Sequence, residues 1–121
     1  TTFTGHMSNL LATITPQVTG RVEISISGYT LNTVKNGTCS TDIRIGTSLI
    51  SPQGALDNTK LGVSINSTSA TANAKVPFSN TVQISGLALG TKEYIQIGKQ
   101  MSGVSGSTCA WRNINLSVKE I

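Results

Sequence analysis

Charge is scarce in this chain: only 12% of its 121 residues are charged, and only 4% are aromatic. The nine basic residues (Arg21, Lys35, Arg44, Lys60, Lys75, Lys92, Lys99, Arg112 and Lys119) never cluster, and five acids offset them to a formal +4. A phosphate-binding face needs a concentrated basic stripe, preferably interleaved with aromatics, so the composition argues against nucleic acid as a partner. A weak pull toward acidic glycans or anionic lipids at a cell surface stays open. No apolar run exceeds three residues, against the roughly 20 that a bilayer span requires, and no basic segment followed by an apolar one opens the chain. Neither membrane insertion nor a targeting signal is expected.

Catalytic groups are equally thin. His6 is the single histidine, too little for a His-based metal cluster, and a structural or solvent-facing role is expected of it. No serine or cysteine sits in a nucleophile motif. Glu23, Asp42, Asp57, Glu93 and Glu120 are scattered over outer positions and turns, without the extra carboxylates and aromatics of a glycosidase cleft. The chain is therefore expected not to be an enzyme, with no catalytic residue, cofactor or metal. Cys39 and Cys109 are the only cysteines. They lack Cys-x-x-Cys spacing, a poor zinc signal. A disulfide between them would close a loop of about 70 residues and add roughly 4 kcal/mol in the chain-entropy model. Spacing alone leaves that disulfide and two free thiols both open, and assembly in a bacterial cytoplasm would favour the thiols.

Serine, threonine, asparagine and glycine fill the space that charge leaves. Thr pairs well across strands, while Ser, Asn and Gly compete with helical hydrogen bonding and favour turns, so the mixture points to a sheet protein with a neutral polar exterior. Strict alternation appears at Arg21 to Ser27, where Val22, Ile24 and Ile26 face one way. The same period recurs at 42–45, 63–65, 82–84, 95–97 and 114–118, with an earlier apolar stretch from Leu10 to Ile14, which makes about seven strands. Turn signals such as Thr15-Pro16, Asn36-Gly37, Ser51-Pro52-Gln53-Gly54 and Ser102 to Gly106 separate them, and Pro52 to Leu56 is the sole helix-like candidate, of one turn. One all-β domain over residues 1–121 is expected, an antiparallel sandwich or jelly roll. The opening Thr1-Thr2-Phe3-Thr4 already reads like strand and lacks an initiating Met, as a piece of a longer protein would.

Ile114, Leu116 and Val118 share a parity, so Trp111 and Cys109 fall on the other face of the last strand unless a bulge intervenes. An outward Trp in so aromatic-poor a chain fits subunit packing; core packing and ligand contact are its other two readings. Trp111 and Tyr29, with Tyr94, are the candidates for sugar stacking, although Tyr94 reads better as packing at a strand start. Asn36-Gly37 reads as a type I′ turn. The sequons at Asn36, Asn66 and Asn115 are as frequent as chance in such a composition.

Several blocks run in a recognisable order. Ile14-Thr15-Pro16 through Gly20-Arg21-Val22 to Ser27-Gly28, then Arg44-Ile45-Gly46-Thr47 with the loop from Ser51 to Ala55, Ala74 to Ser79, Ser85-Gly86-Leu87-Ala88-Leu89-Gly90-Thr91 with Tyr94, and the close at Val118-Lys119-Glu120-Ile121 together resemble a domain common at the C-termini of tailed-bacteriophage fibre and spike proteins. Ile95 replaces a second aromatic of that pattern, and the two cysteines are additions to it. The resemblance implies a jelly-roll-like sandwich that assembles as a homotrimer on a virion appendage, outside the cell. It carries over no catalytic or metal residue. The expected function is attachment to a host-surface receptor, a glycan above all or else a protein, by loops gathered at one end: 32–38, 51–60, 67–73 and 99–107, with Trp111, Tyr29, Asn36 and Lys99 as ligand-binding candidates. The alternatives are a structural capsid-decoration or assembly piece without a receptor, and a cellular adhesin or carbohydrate-binding module.

Overall fold

The computed structural model describes residues 5–47, 64–102, 106 and 108–121. Seven strands carry this part of the chain: β1 (Gly5–Ile14), β2 (Val22–Asn32), β3 (Thr38–Gly46), β4 (Ser64–Thr68), β5 (Val76–Ile84), β6 (Glu93–Ser102) and β7 (Cys109–Glu120). They form two antiparallel sheets, ordered β1-β6-β3-β4 and β5-β2-β7. The fold is thus the all-β antiparallel sandwich that the alternation predicts. The suggested turn of helix at Pro52 to Leu56 lies outside the described residues.

Among the described residues, the alternating apolar side chains form the inward faces of the strands. Val22, Ile24 and Ile26 of β2 meet Ile43 and Ile45 of β3 and Ile95 and Ile97 of β6, with Phe78 of β5 at one end, all under a tenth exposed. Burying such a side chain contributes about 1.5–3 kcal/mol, so this isoleucine layer is the main source of cohesion between the sheets. Ile65, Val82, Ile84, Leu116 and Val118 pack around it.

Successive strands run in opposite directions, and only β3 and β4 are consecutive within one sheet. Every other connection therefore bridges the two sheets at an end of the sandwich. The β2–β3, β4–β5 and β6–β7 connections share one end; β1–β2, β3–β4 and β5–β6 share the other. At the first end Cys39 and Cys109 form a disulfide that joins β3 of one sheet to β7 of the other. The open question of spacing is thereby answered: the cysteines are 70 residues apart in sequence but face each other across the sandwich.

The far end is held by a carboxylate. Glu120 accepts backbone N–H bonds from Gln17, Val18, Thr19 and Gly20 at 2.8–3.1 Å. These hydrogen bonds, that from Gln17 first, pull its pKa down to about 2. Gly20 is irreplaceable in that turn: its φ is +69° and a Cβ would lie 2.5 Å from the Leu87 carbonyl oxygen.

The last strand corrects one expectation. Ser27 pairs with Asn115 and Tyr29 with Arg112, so Asn113 and Ile114 of β7 oppose the single Gly28 of β2. Asn113 adopts a φ of +52°, the left-handed conformation of a bulge residue. The extra residue reverses the parity of everything before it. Trp111 consequently turns inward, against the core, and its Nε1 donates to the buried Thr41 hydroxyl at 2.9 Å. Cys109 turns inward with it and reaches its partner.

Candidate functional site: the outer face of the three-stranded sheet

Alternation that sends isoleucines inward sends a different set outward. On β5-β2-β7 the outward residues align in rows across the strands: Gln83, Glu23 and Lys119; Thr81, Ser25 and Ser117; Ser79, Ser27 and Asn115. Beyond the bulge a fourth row follows, Pro77, Tyr29 and Arg112. Four rows about 7 Å apart on strands just under 5 Å apart give a rectangle of about 20 by 10 Å.

The two middle rows carry only short side chains, while longer ones stand at either end. The result is an open depression of about 370 Å³ over Ser25, Ser27, Ser79, Thr81, Asn115 and Ser117, floored by the intervening Ile26, Asn80 and Leu116. Ser25 and Thr81 share a hydrogen bond of 3.1 Å, and the Asn115 amide donates to the Asn113 carbonyl. Among the described residues the hydroxyls of Ser27, Ser79 and Ser117 bond to no other protein group. Each can donate once and accept twice, so the depression offers both kinds of hydrogen-bonding site at short spacing.

Charge sits at the two ends. In the first row the Glu23 carboxylate accepts from the Gln83 amide at 3.3 Å and pairs with Lys119 at 3.3 Å. Both contacts lower its pKa, the Gln83 hydrogen bond most. In the fourth row the Lys75 ammonium lies 5.2 Å from the Tyr29 ring centroid, and the exposed Arg112 stands on the neighbouring strand. Such a face can exchange hydrogen bonds with a polyhydroxylated ligand. It holds no nucleophile beside a base, and among the described residues no three His, Cys, Asp or Glu side chains come together to hold a metal.

The residues singled out from sequence do not form one cluster. Tyr29 lies on this face; Trp111 lies behind it, half-buried against the core. Asn36 stands in the β2–β3 connection with φ +65°, in a turn closed by Gly37 N–H to the Val34 carbonyl at 3.3 Å. The central residues of that turn are Lys35 and Asn36, of which only Asn36 is left-handed, and Gly37 is not left-handed either, so the expected type I′ turn at Asn36-Gly37, which needs positive φ at both central residues, does not form. Lys99 sits on β6 of the other sheet, opposite Thr41, and its side chain lies outside the described residues.

Two of the four loops expected to gather, 32–38 and 67–73, meet at the disulfide end, and Thr108, just past the third, joins them there; most of 99–107 between its strands lies outside the described residues. Asn36 N–H donates to Ser69 O at 2.8 Å, Asn73 N–H to Asn32 O at 2.7 Å, and Thr33 N–H to Thr108 O at 3.0 Å. Asn32, nearly buried, aims its amide at both disulfide sulfurs, 3.6 and 3.4 Å away. The fourth loop, 51–60, lies outside the described residues, and β3 before it ends at the opposite end of the sandwich.

Sequence reasoning missed Ser25, Ser27, Ser79, Thr81, Asn115 and Ser117 as a group. Their outward parity was readable, but nothing in chain order announces that β5 and β7 flank β2. Comparisons with family models, with curated proteins and with solved structures find no match for this chain.

Proposed function

We propose that the chain is a non-catalytic recognition domain of a bacteriophage virion appendage, homotrimeric, that attaches to a host-surface glycan through the outer face of its three-stranded sheet. One observation carries the reading. A flat rectangle of hydroxyl and amide groups, several of them uncommitted within the described residues, complements a sugar chain better than an apolar ligand or a reacting substrate. The ordered sequence blocks supply the virion setting, and a disulfide across the sandwich suits an extracellular protein. Hydrogen bonds exchanged with water yield only about 0.5–1.5 kcal/mol each, so a single site binds weakly and a trimer gains by avidity.

The test is a glycan array of bacterial surface polysaccharides, read with the protein and with Ser117→Phe, which fills the depression without touching the core. Binding that is lost in Ser117→Phe at an unchanged melting temperature supports the reading. Equal binding by both proteins places recognition elsewhere, and a strict monomer by light scattering with no glycan bound overturns it. A second reading, an assembly piece without a receptor, is favoured by Val18 and Leu89, the large apolar residues left 77% and 55% exposed among those described. Both lie at the end opposite the disulfide, in connections joined by the Gly90 N–H to Pro16 O bond.

A further inference from the structure

The glycan reading says nothing of ligand charge, but the distribution of ionic groups does. On the first row Lys119 is neutralised by Glu23. On the fourth row Lys75 and Arg112 flank Tyr29, and neither has a carboxylate partner among the described residues. Lys75 sits over the ring, and Arg112 donates to the carbonyl of Trp111 beside it. The acids on the described strands are elsewhere: Glu23, Glu93 and Glu120 lie toward the opposite end of the strands, and Asp42 is on the other sheet. Asp57 falls outside the described residues. Lys35, exposed in the β2–β3 connection, adds to the positive potential at the Tyr29 end.

Resting on the glycan reading, we propose that the ligand is a carboxylated saccharide lying along β2, its carboxylate between Lys75 and Arg112 and its hydroxyls over the serine depression. Two separated cations beside an aromatic ring match one carboxylate. They are too few for a polyphosphate backbone. The electropositive edge of the Tyr29 ring favours an anion in the same place. The adjoining depression is uncharged, as the remaining hydroxyls of a sugar require.

The experiment is a titration of the ¹⁵N-labelled protein, followed by amide chemical shifts, with a panel of oligogalacturonates and oligosialic acids, each paired with its neutral methyl ester. The expected result is that an acid shifts the amides of Tyr29, Arg112 and the serine rows at lower concentration than its ester. Lys75→Gln and Arg112→Gln each weaken the acid roughly threefold, and together about tenfold, as exposed ion pairs do, leaving the ester unaffected. Acid and ester binding equally on this face overturns the charge inference and leaves the glycan reading standing. The same shifts produced by inorganic phosphate alone reduce the site to a generic anion contact and overturn it as well. No shift on this face from either form removes both inferences together.

Discussion

Glu120 does more for this fold than its half-buried place at the end of β7 suggests. As a carboxylate it accepts from four consecutive backbone N–H groups and so fixes the β1–β2 connection against β7. Its pKa is lowered to about 2 in the folded state. A depressed carboxylate stabilises the fold fully above its unfolded pKa near 4.5, and that contribution disappears as pH falls toward 2. Glu120→Gln should therefore melt below the parent at pH 7, and the gap between the two should close between about pH 4.5 and 2; melting temperatures across that range decide it. Trp111 makes the opposite kind of contact, one neutral hydrogen bond at a core position. Trp111→Phe leaves the Thr41 hydroxyl, which is fully buried, without this donor, and should cost about 1–3 kcal/mol in denaturant titrations followed by circular dichroism.

At the scale of elements, the bulge in β7 decides which side chains reach the core. Gly28 makes it possible: a Cβ there would meet the Ile114 side chain and lie 3.1 Å from the Arg112 carbonyl oxygen and 3.2 Å from the Ile114 Cα. Gly28→Ala should destabilise by about 1–3 kcal/mol, as overpacking does, and should shift the amide resonances of Arg112 to Ile114 more than those of distant strands. Six of the seven described strands were legible in the sequence by period-two alternation, which is what a half-buried strand must show, and β1 by its apolar stretch from Leu10 to Ile14. The inward turn of Trp111 was not, since Asn113 in a left-handed bulge looks like any other asparagine in a polar-rich strand. The pairing of Cys39 with Cys109 depends on how two sheets stack, which no local pattern encodes. The hydroxyl face was half legible: Ser25 and Ser27 read as outward, but their neighbours Thr81, Ser79, Asn115 and Ser117 become neighbours only through the β5-β2-β7 order.

On the scale of the whole molecule, the two ends of the sandwich are tied by different chemistry, a covalent bond at one and a buttressed carboxylate at the other. The disulfide closes a 70-residue separation and spans both sheets, so its main effect is on the unfolded chain, worth roughly 4 kcal/mol in the entropy model. That is a large share of the 5–15 kcal/mol by which a domain is ordinarily stable. The double variant Cys39→Ala, Cys109→Ala should therefore unfold at a clearly lower denaturant midpoint. It should also show a steeper dependence on denaturant, because an uncrosslinked chain exposes more surface when it opens. The loss has a location as well. Asn32 keeps its turn to Val34 but loses both sulfurs, and among the described residues the β2–β3, β4–β5 and β6–β7 connections are then held to one another by backbone hydrogen bonds and by that from Thr108 N–H to the Thr33 hydroxyl. Amides at Thr33, Asn36, Asn73 and Thr108 should then exchange with solvent faster in the variant, while those of the Gln17 to Gly20 turn, held by Glu120, keep their protection. Uniform acceleration at both ends would mean that the bond stabilises the native sandwich globally and does not clamp this end in particular.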